Sequence, residues 1–112
     1  MRLRNAAVAA VSAIGLVLAV PGSALAATGQ FRYTFRNSDG YELVGFMNNP
    51  VSGRCINLPG ADDDLPPAYA PENATNSPAV VFVGTDCQGP DWLLAAGRGG
   101  SDRLKLRSVG FL

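Results

Sequence analysis

The chain has no histidine, a single tryptophan and only two cysteines among its 112 residues. Without histidine there is no Ser-His-Asp triad, no His-activated thiolate and no His-ligated zinc. The two cysteines, Cys55 and Cys87, lack the Cys-x-x-Cys spacing of a redox motif and are too few for an all-cysteine metal site. Charge of one sign is also missing, with nine basic and nine acidic residues. Nucleic acid and anionic membranes demand a cationic surface, so neither is an expected partner.

No apolar run reaches the roughly 20 residues that cross a bilayer as a helix. The longest is "AAVAAVSAIGLVLAV", residues 6–20, which follows the basic "MRLR" and ends at Pro21-Gly22. The small residues of "ALA", 24–26, complete the pattern of a secretory signal peptide. The expected organisation is a signal peptide at 1–26 and one small domain at 27–112, secreted and not membrane-inserted after cleavage. Removal of Arg2 and Arg4 leaves seven basic against nine acidic side chains, a net charge of −2. A domain this small buries only about 60–65% of its unfolded surface and needs reinforcement.

Export supplies an oxidising environment, and two cysteines allow one intramolecular pairing. A Cys55–Cys87 disulfide would close a loop of about 33 residues, worth roughly 3.5–4 kcal/mol in the chain-entropy model.

Along the mature region the dominant period is two. "GQFRYTFRN", 29–37, places Phe31, Tyr33 and Phe35 opposite Arg32, Thr34 and Arg36, which predicts a half-buried strand. Asp39-Gly40 signals a hairpin turn, and "YELVGFM", 41–47, is the return strand. Gly45 within it marks a bulge or a close backbone approach. Further strands are expected at "RCINL" (54–58), "VVFV" (80–83), "WLLAA" (92–96) and "RLKLRSVGFL" (103–112). In the last, inward Leu104, Leu106 and Ser108 give way to Val109 and Phe111 on the other parity, which suggests a bulge near Ser108.

Residues 59–79 carry Pro59, Pro66, Pro67, Pro71 and Pro78 with few large apolar side chains, and read as a long loop. Asn73-Ala74-Thr75 matches an N-glycosylation acceptor, but the Ala-rich leader is bacterial in character. With no amphipathic helix in sight, the expected fold is all-β: a small single-domain sandwich or barrel with one disulfide.

Phe82, four residues, Cys87, one residue, Gly89 resembles the βγ-crystallin signature of aromatic, four residues, aromatic, one residue, Gly. Cys87 stands where the second aromatic is usual. The spacing from Tyr33 to Gly40 repeats that from Phe82 to Gly89 at an offset of 49, with Ser52/Ser101 and Arg54/Arg103 as further pairs. The resemblance implies a β-sandwich in which the first aromatic packs over the glycine. Family members that bind calcium use acidic and hydroxyl residues. Here Asp102 is followed by Lys105 and Leu106 at the hydroxyl positions, which argues against that site. The segments "CINLP", "DC" with a following glycine, and "DRLKLRSV" also resemble a class of small exported actinobacterial proteins, which implies no particular activity.

For function, the first expectation is a secreted, non-catalytic binding or structural module, monomeric, without cofactor or metal. Its partner would be another secreted protein or a cell-envelope component. Asp62, Asp63 and Asp64 form a solvated acidic run rather than a calcium cage. One alternative is a protease-inhibitor-like presented loop at 59–79, with the disulfide holding its ends and Leu65, Tyr69 and Glu72 as contacts. A second is carbohydrate binding on Trp92, against which its neighbours Leu93 and Leu94 favour a core or half-buried anchor. A third is a small hydrolase using carboxylates from among Asp39, Glu42, Asp86 and Asp91.

Overall fold

The computed structural model describes residues 26–112. The expected signal peptide therefore lies outside the described residues except for Ala26. Ala26 forms an antiparallel bridge with Val51. The Ala27 amide donates to the Pro50 carbonyl at 2.9 Å, and its side chain is buried in the core.

The fold is all-β. Its strands are β1 (Gly29–Arg36), β2 (Glu42–Asn48), β3 (Cys55–Asn57), β4 (Ala68–Thr75), β5 (Ala79–Phe82), β6 (Asp91–Leu94), β7 (Arg98–Gly99), β8 (Lys105–Leu106) and β9 (Ser108–Phe111). A short 3-10 turn, Thr85–Cys87, joins β5 to β6. Two antiparallel sheets result. One has the order β2-β1-β4-β7, with β8 also pairing to β4; the other has the order β3-β9-β5-β6. The alternating aromatics of β1 explain the packing. Phe31 and Tyr33 turn inward and are buried, while Arg32 on the other face is exposed. Phe31 meets Phe111 of the opposite sheet edge-to-face at 5.4 Å, so this ring pair ties the layers together. Val81, Leu106, Val109 and Leu58 complete the centre of the core.

The chain shows the same strand order twice. β1, β2 and β4 form three adjacent strands of one sheet, and β5, β6 and β9 form three of the other. Each unit sends its third strand across: β3 into the second sheet, β7 and β8 into the first. Tyr33 and Phe82 occupy matching strands, β2 and β6 begin 49 positions apart at Glu42 and Asp91, and Gly40 and Gly89 have φ of 85° and 84°. The sequence offset thus coincides with a structural one. Among the described residues no side chain lies within 4 Å of where a Cβ on Gly40 or Gly89 would stand. Tyr33 instead lies on Gly45, its direct cross-strand partner, which makes Gly45 the site of a close approach.

Residues 59–79 are not one loop. β4 runs through them as an interior strand between β1 on one side and β7 and β8 on the other. The prolines hid it, yet Pro71 is tolerated for a specific reason. The β1–β4 register shifts between Arg32/Glu72 and Thr34/Tyr69, leaving Ala70 and Pro71 in a bulge, with Ala70 at φ 50°. A missing N–H costs no ladder bond there, while the Pro71 carbonyl still accepts from Gly100 at 2.7 Å.

The C-terminal segment also differs from expectation. Its change of parity is a change of sheet, since Leu106 pairs with Ala68 and Ser108 pairs with Phe82 and Asn57. Arg107 lies at the crossing, its amide donating to Phe82 and its carbonyl accepting from Leu58.

Candidate ligand cleft beside Trp92

Cys55 and Cys87 form the disulfide, with Cα atoms 5.8 Å apart. The turn that delivers Cys87 is built by side chains from two other strands. Asn57 Oδ1 accepts from the Asp86 amide at 2.7 Å, and its Nδ2 donates to the Asp86 carboxylate at 3.0 Å. Buried Ser108 accepts from the Cys87 amide at 2.9 Å and donates to the Gly84 carbonyl at 2.6 Å. These bonds hold Asp86 and Cys87 at φ of 59° and 55°, a left-handed pair that two non-glycine residues adopt only under external restraint. "VGTDCQG" is therefore a locked corner, and Asp86 has a structural role within it.

The corner returns the chain into β6, an edge strand. Trp92 pairs with Val81 and so has inward parity, but at the open side of the sandwich it stays 48% exposed. It is half-buried, neither sealed in the core nor fully in solvent. Together with Val83 it faces the segment entering β8, and the two border an open cleft of about 490 Å³ lined also by Ser101, Arg103, Leu104 and Lys105. The 101–105 segment is a tight turn: Ser101 Oγ accepts the Arg103 amide at 3.2 Å and the Ser101 carbonyl accepts the Leu104 amide at 3.2 Å. Lys105 Nζ donates to the Asp102 carbonyl and sits 5.1 Å from the centre of the Tyr69 ring. Among the described residues Arg103 makes no ion pair, whereas Arg32, Arg36 and Arg107 are paired with Glu72, Glu42 and Asp63. Among the described residues no carboxylate lines the cleft.

The remaining expected contact residues go elsewhere. Leu65 lies in the 58–67 connection, which Arg107 pins by donating from Nη2 to the Leu65 carbonyl at 2.8 Å and from Nε to the Asp62 carbonyl at 3.5 Å. Tyr69 and Glu72 lie on β4. Tyr69 donates to the Glu42 carboxylate, a bond that raises its pKa, and Glu72 pairs with Arg32 at 3.0 Å. Leu65, Tyr69 and Glu72 thus form no common tip, and the presented-loop geometry is absent because its centre is a sheet strand. Of Asp39, Glu42, Asp86 and Asp91, two are engaged with side-chain partners and none reaches the cleft.

Ser101, Arg103, Leu104 and Lys105 were legible only as a turn and an alternating strand. Their meeting with Trp92 depends on the chain crossing between sheets, which local spacing does not encode. Comparison with protein-family models, curated proteins and solved structures gives no match.

Proposed function

We propose that this protein is an exported, non-catalytic binding module that takes a saccharide bearing an acidic group in the Trp92 cleft. The observation that carries the reading is the half-exposed indole facing a cleft whose charged lining residues are both cations. An indole offers a flat apolar surface to the C–H face of a sugar ring. Arg103 offers a planar fork suited to carboxylate or phosphate, and Ser101 and Lys105 add hydrogen-bond donors. A volume of about 490 Å³ lies within the usual range for small-ligand sites. The disulfide is compatible with an extracellular location. The repeated strand order supports a two-motif, βγ-crystallin-like ancestry for the scaffold. An acidic polysaccharide of a cell envelope would be the natural partner class.

The test is a direct binding measurement against uronic-acid, phosphorylated and neutral oligosaccharides of matched length. The expected result is binding to an acidic set that is lost in Trp92→Ala and weakened about tenfold or more in Arg103→Gln, the scale of a lost charge-assisted contact. Absence of binding to every sugar, or unchanged binding in Trp92→Ala, would reject the reading.

A further inference from the structure

The four outer edges of the two sheets are not equally protected. β3 has three residues and is held by the disulfide; β6 has four and follows Pro90; β7 has two. β2 is a seven-residue edge, "ELVGFMN", containing neither proline nor a basic residue. Such an edge is a template for pairing unless something blocks it. Leu43, Val44 and Phe46 on this strand are 41%, 62% and 57% exposed.

The hydrogen bonds at its ends fix which backbone groups face away from β1, where no other described strand pairs with them. Asn37 donates to Tyr41 and Asn49 to Gly29, so the odd-numbered residues of β2 turn their amides and carbonyls toward β1. Glu42, Val44, Phe46 and Asn48 turn theirs outward.

From this we infer that β2 pairs antiparallel with β2 of a second copy, about a two-fold axis through Gly45. That register sets Glu42 opposite the partner's Asn48 and Val44 opposite the partner's Phe46, so all four outward residues find outward partners. A shift of two residues in either direction loses one of the four pairings. The single charge of the strand, Glu42, meets no like charge. Val44 against an aromatic is a favourable cross-strand pair, and it occurs twice by symmetry. The two Gly45 residues face each other at the centre, where each Tyr33 ring already fills the space a side chain would take. The result is one continuous sheet across the dimer, in place of the monomer expected from sequence. The Trp92 cleft, on the edge of the other sheet, stays open.

Sedimentation velocity on the disulfide-intact protein at about 100 μM tests the pairing, since a dimer of micromolar affinity is fully formed there. The wild type should sediment as a dimer. Val44→Pro removes an outward amide without touching the β1 ladder, and Phe46→Lys places a cation beside the axis; both should be monomers with cooperative melting retained. Leu93→Lys, on the exposed but unpaired face of β6, should remain dimeric. A wild type that is monomeric at about 1 mM would overturn the inference. So would a dimer that survives Phe46→Lys, or one lost equally in Leu93→Lys.

Discussion

The side-chain amide of Asn73 donates to the backbone carbonyl of Leu94 at 3.1 Å, joining the interior strand of one sheet to the last residue of the edge strand of the other. The same nitrogen contacts the Ser77 and Ala95 carbonyls, and Asn73 Oδ1 accepts from the Thr75 hydroxyl at 2.6 Å. Asn73 is 1% exposed, so the acceptor-like Asn-Ala-Thr sequence is consumed by the fold. Replacing Asn73 with Ala takes the side-chain donor from the Leu94 carbonyl and the acceptor from the buried Thr75 hydroxyl, while the Ser77 and Ala95 carbonyls keep the Thr75 hydroxyl and the Arg98 amide. The expected loss of about 2–3 kcal/mol is the cost of buried unsatisfied groups and is read by urea denaturation.

Tyr33 and Gly45 form a second such pair. A methyl on Gly45 would stand 2.7 Å from the Tyr33 hydroxyl oxygen and closer still to its ring. Gly45→Ala should therefore lower stability by about 1–3 kcal/mol, the range for overpacking. Combined with Tyr33→Leu, its added cost should shrink, because the ring that opposes the methyl is gone. Thermal denaturation of the two single variants and the double variant checks this coupling.

Burial raises the Tyr33 phenol above its usual pKa of 10.0, and its hydroxyl donates to the Pro59 carbonyl at 2.9 Å. Ionisation is thus easier in the unfolded chain. The stability linked to Tyr33 is present in full below pH 10 and is lost as pH rises through the raised folded value. Tyr69 contributes in the same direction, through its bond to Glu42. Unfolding free energy measured across the alkaline range should fall above pH 10, and Tyr33→Phe should flatten part of that slope while leaving the Tyr69 part. An unchanged slope in Tyr33→Phe would exclude this linkage.

The Cys55–Cys87 bridge spans 32 positions and fastens edge strand β3 to the locked corner. Its removal in a Cys55→Ser/Cys87→Ser double variant should cost roughly 3.5–4 kcal/mol, the loop-closure value. For so small a domain that is most of the stability available. Chemical denaturation in parallel with intact protein gives the difference directly.

Much of this architecture is visible in residue order. The alternation of Phe31, Tyr33 and Phe35, the Asp39-Gly40 turn and the lone cysteine pair each act over short spacing or by elimination, and β1, β2 and the disulfide follow from them. β4 was hidden because its apolar positions are small (Ala68, Ala70 and Ala74) and because Pro71 opposes a strand unless a bulge excuses it. β7 was hidden within "GRGG", where two residues pair only because β4 lies beside them. The cleft depends on the same crossings. Trp92 could be singled out as the only tryptophan, but Arg103 and Ser101 join it through a strand exchange that no local pattern announces.

The sole tryptophan provides its own reporter. Titrating the disulfide-intact protein with an acidic oligosaccharide while following Trp92 emission should give a saturable blue shift and protection from acrylamide quenching, both abolished by high salt or by Arg103→Gln. An emission spectrum and quenching rate that stay constant through the titration, while a separate assay shows the sugar bound, would place the ligand elsewhere and contradict the assignment of the Trp92 cleft.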